Sequence, residues 1–298
     1  MTTPAIALDA LYCKLGKFEL GPMTVTVPRG SVVALIGPNG AGKTTLLDLV
    51  MGLGRPGRGG IQVVGLSHPK DAVAIKARVA YVNPDLNFAT WGTVGRALDF
   101  LRGFYPDWSD DRCERLLVAF EIKRGDKIAA LSFGGRIKLA LVAALARDAE
   151  LLLLDEPTVG LDVAARRVLF HEILEVVKTE NRTVIISSHQ LDDLERLADQ
   201  CAIIARGQLL TLAPMDGLLD RYRQVDAVVP GRLPEMAGVK LLARNGDRVR
   251  LLVDRQVCGE GGLEAGGIHP VAEVAMTLED LFMALTSEAL TPGAPEVV

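Results

Sequence analysis

Residues 37–44 read GPNGAGKT and directly follow the apolar run VVALI, so glycines, a lysine and a hydroxyl recur at fixed places after a strand-like segment. The spacing is G-x-x-x-x-G-K-[ST], in which the glycines let the main chain curl until successive N–H groups face a bound polyphosphate. The candidate phosphate contacts are Gly37, Pro38, Asn39, Gly40, Ala41, Gly42, Lys43, Thr44 and Thr45. Lys43 is expected to reach the β- and γ-phosphates and Thr44 to place its hydroxyl on Mg²⁺. The helix beginning there points its positive end at the anion. A second chemical feature is Asp155-Glu156 after four leucines. Asp155 is expected to hold Mg²⁺ through water, and Glu156 to polarise the attacking water. By itself LLLLDE would serve equally as a strand edge with two solvated acids; the glycine loop upstream favours the catalytic reading.

Such groups need rigid carriers. Three short apolar runs lack alternation: VVALI before Gly37, LLLLD ending at Asp155, and TVIISS ending at Ser188. That pattern fits strands covered on both faces, and it predicts a mainly parallel sheet flanked by helices, an α/β fold. Ligands of open α/β sheets bind beyond the carboxyl ends of the strands, so these three ends are expected to converge. Residues 84–148 change to helical periodicity, with Cys113, Leu116, Leu117 and Phe120 on one face after a Ser109 cap, which reads as an inserted helical subdomain. The main domain spans 1–220. A small C-terminal β-containing appendage occupies 222–298, where KLLARNGDRVRLLV predicts a hairpin around Asn245-Gly246. It closes with TLEDLFMALT, in which Thr277 and Asp280 form a capping-box pattern and Leu278, Leu281, Phe282 and Leu285 share a helix face. The tail TPGAPEVV has the composition of an unstructured end.

Composition narrows the function classes. With 298 residues, one large domain plus a smaller one is expected. An apolar share of 49% argues against disorder, and a net charge of -4 without a Lys/Arg block argues against a nucleic-acid partner. Cys13, Cys113, Cys201 and Cys258 are scattered without metal-type spacing, as in a reduced cytosolic protein. The N-terminus MTTPAIALDA lacks a basic stretch and an apolar signal core. No apolar run, 139–146 included, is long enough to span a bilayer, which leaves docking onto a membrane protein open.

The run LSFGGRIKLALVAALARDAELLLLDEPTVGLD, followed by ISSHQLDDLERLAD, resembles the nucleotide-binding domain of ABC transporters, and the likeness covers about 6–214. It implies a P-loop NTPase core of the ABC ATPase type that binds ATP and Mg²⁺. It also implies that two subunits, alike or different, close head to tail around two ATP molecules. Each nucleotide is then gripped by the P-loop of one subunit and the signature loop of the other, here Ser132, Gly134 and Gly135. Ser132 suits that task physically, since as an N-cap it presents a hydroxyl beside free helix N–H groups. By resemblance, Asp162 of the D-loop at 160–162 couples the two sites. His189 contacts the γ-phosphate and the attacking water, with Glu156 as base. The segments NFATWGTVGRALDF and TLEDLFMALT are similar to ATPases that energise ABC-2 type exporters. They imply an integral membrane permease, received by the helical lobe and the Trp91 region, and a peripheral place on the cytoplasmic face of the membrane.

Several positions depart from the family pattern. Phe133 and Gly135 replace a glycine and the glutamine of LSGGQ. Pro84 stands where a glutamine usually completes the Mg²⁺ shell; Asn83 or Asp85 can substitute, or the segment is a plain turn. Leu15 occupies the place of an adenine-stacking tyrosine, leaving Phe18 or Tyr12 as candidates or as core residues. A second functional reading is a soluble ABC-type ATPase that acts as an assembly or regulatory scaffold without a permease. A P-loop kinase or GTPase fits less well, since no N-K-x-D motif is found.

Overall fold

The structure is a computed structural model that describes residues 3–85, 88–180, 182–188, 191–259 and 261–286. The chain divides into two compact units, Met1–Leu212 and Ala213–Val298. The first five strands are β1 (Ile6–Leu15), β2 (Phe18–Val27), β3 (Val32–Ile36), β4 (Arg58–Val63) and β5 (Leu66–Ser67). They are followed by β6 (Val79–Val82), β7 (Leu151–Asp155), β8 (Thr183–Ser187), β9 (Gln200–Ala205) and β10 (Gln208–Pro214).

A six-stranded sheet in the order β10-β9-β3-β8-β7-β6 forms the centre of the first unit. Its β3–β8, β3–β9, β7–β8 and β6–β7 pairs are all parallel. Every residue of β3, β7 and β8 is buried, so the unbroken apolar runs reflect coverage of both sheet faces. Parallel strands require crossovers, supplied in part by α1 (Lys43–Met51) after β3 and by α2 (Ala72–Arg78) before β6. Leu47, Leu49 and Val50 of α1 pack into one core with Leu35, Leu153 and Ile185.

A second sheet, β2-β1-β4-β5, is antiparallel and was not part of the sequence expectation. The reason lies in β1, whose register against β2 shifts between Leu8 and Leu11 and again before Cys13. Each shift breaks the period-two alternation by which a half-buried strand is read.

Between β6 and β7 lie α3 (Val94–Arg102), α4 (Asp110–Ala119) and α5 (Phe133–Leu145). Ser109 caps α4 by accepting a hydrogen bond from the Arg112 N–H at 3.2 Å, and Cys113, Leu116, Leu117 and Phe120 are buried. After β7 come α6 (Val163–Glu180) and α7 (Leu191–Leu197).

The second unit contains α8 (Met215–Arg221), β11 (Tyr222–Val228), β12 (Val239–Asn245) and β13 (Arg248–Asp254). It continues with α9 (Arg255–Cys258), α10 (Gly262–Ala265), β14 (His269–Val274) and α11 (Leu278–Thr286). Its antiparallel sheet has the order β12-β13-β11-β14 and packs Val225, Val249 and Leu251 against Leu263 and Ile268. Asn245 pairs with Arg248 across the hairpin turn, where Gly246 takes a φ of 59°. Thr277 and Asp280 bond reciprocally at the start of α11, each main-chain N–H donating to the other's side chain at 3.1 Å. The tail TPGAPEVV lies outside the described residues.

Candidate functional site

The phosphate-loop residues leave the carboxyl end of β3 and enter α1. Gly42 has a φ of 106°, and a Cβ there would lie 2.7 Å from Leu20 Cδ1 and 2.9 Å from Phe18 Cζ. A Cβ on Gly37 would run into the Ile204 carbonyl oxygen. The loop is therefore tucked between β2 and β9, and only glycines allow that closeness. A main-chain clamp fixes it further: Gly207 N–H donates to Ala41 O at 3.0 Å, and Gly21 N–H donates to Gly207 O at 2.7 Å. The first main-chain bond into the helix runs from Leu46 N–H to Gly42 O. The N–H groups of Lys43, Thr44 and Thr45 precede it and have no intrahelical acceptor, which leaves them to an anion.

Lys43 is buried, and its Nζ donates to Gly37 O at 2.8 Å and to Pro38 O at 3.4 Å. The same ammonium lies 3.7 Å from Glu156 Oε1. The loop's own carbonyls thus fix the cation at the loop, with the proposed catalytic carboxylate beside it.

Asp155 ends β7 and receives two hydroxyl donors: Thr44 Oγ1 at 2.6 Å from Oδ2 and Ser187 Oγ at 2.5 Å from Oδ1. Ser187 Oγ in turn accepts the Glu156 N–H at 2.9 Å. Sequence reasoning missed Ser187, which faces Asp155 through the parallel register of β7 and β8. Alignment of the ends of LLLLD and TVIIS was the signal that could have found it. Glu156 follows with a φ of 47°, a left-handed conformation uncommon for a non-glycine residue and typical of positions where geometry is imposed for function.

The Thr44 hydroxyl and the Asp155 carboxylate form an adjacent pair of hard oxygen donors. Two protein oxygens are too few for a complete cage, and they suit Mg²⁺, which retains water and takes its other ligands from phosphates. The residues present therefore fit a metal–polyphosphate complex.

Ser132 caps α5, its Oγ accepting the Gly135 N–H at 3.1 Å. Phe133, which stands in place of a glycine, packs against Gly160: a Cβ on Gly160 would lie 2.8 Å from Phe133 Cδ1. A Cβ on Gly134 would run into the Gly160 carbonyl oxygen. The signature-type loop and the D-loop segment are thus in direct contact. Asp162 caps α6 by accepting the Ala165 N–H at 2.8 Å, and its Oδ2 accepts from Lys138 Nζ at 2.9 Å. The Ala165 N–H, followed by Lys138, holds the Asp162 carboxyl below the usual carboxylate range.

Other expected groups stand apart. Asn83 Oδ1 accepts the Asp85 N–H at 3.1 Å, so the segment around Pro84 forms a side-chain-closed turn. Leu15 is exposed, Phe18 borders the loop at Gly42, and Tyr12 lies beneath the Arg58 guanidinium at 4.6 Å. His189 lies outside the described residues.

The ABC transporter family model matches residues 20–159, a span that holds the glycine loop, Ser132, Asp155 and Glu156. The chain is 31% identical over 229 residues to an uncharacterized ABC transporter ATP-binding protein of Synechocystis sp., covering 74% of this chain and 63% of that protein. The chain thus spans less than two thirds of that relative's length. It is also 31% identical over 229 residues to the Nod factor export ATP-binding protein I of Bradyrhizobium diazoefficiens, covering 74% of each. Among solved structures, the ATP binding subunit of an ABC transporter superposes with a TM-score of 0.64 at 27% identity, over 73% of this chain and 92% of that one. A dimeric ATP-binding cassette in a post-hydrolysis state with ADP and Pi shares the fold, with a TM-score of 0.63 at 19% identity over 70% and 98%. A glycine loop clamped between strands, a hydroxyl–carboxylate pair beside it and these likenesses agree: the chain belongs to the ABC transporter family of ATP-binding proteins and carries its ABC-type ATPase domain of P-loop NTPase fold.

Proposed function

We propose that the chain hydrolyses ATP within a head-to-tail dimer and thereby drives a separate membrane permease of the exporter class. The observation that carries this reading is the chain of contacts Thr44–Asp155–Ser187–Glu156, placed beside the buried Lys43 ammonium. In that arrangement the loop N–H groups and Lys43 grip the β- and γ-phosphates, and Glu156 orients a water for attack on the γ-phosphorus. The bond to the bridging oxygen breaks, ADP and phosphate leave, and the proton of the water passes to the Glu156 carboxylate. Held at Thr44 and Asp155, Mg²⁺ supplies neutralisation of phosphate charge.

The dimer is supported by Ser132. Its hydroxyl and the first N–H groups of α5 form an anion-binding helix terminus whose intended guest is the partner's γ-phosphate. The contact of Gly134 with Gly160 gives a route by which occupancy of that terminus reaches the D-loop. Pairing of Asp162 with Lys138 gives the D-loop a defined resting geometry before dimer closure.

Coupling to a permease is supported by an apolar surface on the first unit. Trp91 stacks on Phe100 at 3.8 Å, and Phe100 and Phe104 are both exposed. Beside them a groove of about 240 Å³ is lined by Leu53, Phe88, Leu101 and Tyr105. No helix among the described residues is long and apolar enough to cross a membrane, so we assign the membrane passage to the other subunit. The export direction is suggested by the relative named for Nod factor export. On this reading the chain sits at the cytoplasmic face of the membrane through that permease. The test is Glu156→Gln, which is expected to retain ATP binding, lose turnover by a factor of about 10² or more and accumulate as an ATP-bound dimer. Turnover at the wild-type rate would remove Glu156 from the mechanism.

A further inference from the structure

The groove that the proposed permease helix would enter contains an unusual cation. Arg147 follows α5 and is 7% exposed. Its Nη2 donates to the carbonyl oxygens of Lys76 and Ala77, both at 3.1 Å, and its guanidinium lies 3.4 Å from the Tyr105 ring centroid. Its Nε is buried without a hydrogen-bond partner among the described residues. Among the described residues no carboxylate lies within ion-pair distance of it.

Arginines in the surrounding region are treated differently. Arg29 and Arg78 share Glu150, and Arg182 pairs with Asp148. Burial lowers the Arg147 pKa, opposed by the charge of the Tyr105 phenol, and the contacts that hold this desolvated cation are two carbonyl dipoles and the Tyr105 ring face. Such a group is costly to bury and gains most from an incoming anion, since the desolvation has already occurred. Apart from Tyr105 and Tyr81, whose hydroxyl is already engaged in donating to Asp48, the rest of the groove is largely apolar or small, with Leu53 and Leu101 on its walls and Ala140 and Ala144 from α5. A free inorganic anion would find little else to hold it there, whereas a helix with an apolar face and one carboxylate complements both features.

We propose that Arg147 is a specificity anchor in this groove, selecting a partner-protein helix that presents a glutamate or aspartate carboxylate within an apolar face. The inference rests on the docking role proposed above and adds the chemical requirement on the docked segment. Arg147 Nη1, which makes no hydrogen bond among the described residues, is the nitrogen left for that carboxylate.

The experiment titrates the full chain with two fluorescent synthetic helical peptides that share one apolar face and differ only in a central Glu or Gln, read by anisotropy. The Glu peptide is expected to bind about tenfold tighter, as for a charge-assisted over a neutral hydrogen bond. In Arg147→Gln the ratio is expected to fall to about one, and in Arg147→Lys, which keeps the charge without the planar fork, to an intermediate value. Should Arg147→Gln fail to fold, the wild-type and Arg147→Lys ratios still decide. Equal binding of both peptides to the wild type would overturn the anchor while leaving the groove as a docking site. Binding of neither would overturn the docking site and the anchor together.

Discussion

Ser187→Ala isolates a residue that bonds to both Asp155 and Glu156 of the proposed site. Ser187 is fully buried, donates to Asp155 Oδ1 at 2.5 Å and accepts the Glu156 N–H at 2.9 Å. Losing a hydrogen bond to a charged acceptor costs about 1.5–3 kcal/mol, and a newly orphaned N–H adds about 1 kcal/mol. The two losses share one hydroxyl and are not fully additive, so a destabilisation of about 2–4 kcal/mol is expected. The chain contains two tryptophans, Trp91 and Trp108, and both belong to the first compact unit. Their fluorescence during urea unfolding therefore reports that unit without a signal from the other. Turnover is expected to fall at least tenfold, because Glu156 loses the bond that fixes its left-handed backbone. ATP affinity should change little, since the proposed grip on the phosphates is made by the glycine loop, to which Ser187 makes no hydrogen bond among the described residues. A stability change below about 0.5 kcal/mol, the range of an ordinary surface substitution, would refute the assignment of Ser187 as the link.

Two further outcomes follow from the loop contacts. Gly134→Ala drives a methyl group into the Gly160 carbonyl oxygen, so a loss of about 1–3 kcal/mol in the same urea assay and a fall in ATP turnover are expected; wild-type values for both would contradict the contact. The Asp162 carboxyl titrates below its usual value because the Ala165 N–H and Lys138 favour the anion, so its capping of α6 is complete above about pH 4 and is lost as pH falls through the lower folded value. Carbon-13 NMR of that carboxyl checks the sign, and a midpoint at or above the usual aspartate value would contradict it.

The central strands were legible because burial on both faces leaves unbroken apolar runs, as in VVALI, LLLLD and TVIIS. The hairpin at Asn245-Gly246 and the reciprocal cap of Thr277 and Asp280 were legible because each is settled by residues close in sequence. What escaped depends on neighbours brought together by the fold. Ser187 looks like any strand-end serine until the parallel register sets it opposite Asp155, 32 residues upstream. Phe133 departs from the family pattern in sequence, and only the fold shows that its ring lies on Gly160, a glycine with positive φ that has no side chain to meet it. Arg147 reads as a surface cation within ARDAE, and only the groove formed by α1, α3 and α5 shows it to be buried.

The clamped glycine turn and Lys43 are proposed to form a triphosphate cradle, on which every other role assigned to the site depends. Calorimetric titration of the full chain with Mg²⁺ and a non-hydrolysable ATP analogue, in parallel with Lys43→Ala, addresses it most directly. One saturable site per chain is expected, weakened about tenfold or more by the substitution, as for loss of a charged contact to phosphate. Equal affinities in the two proteins, or no binding by the wild type, would contradict it.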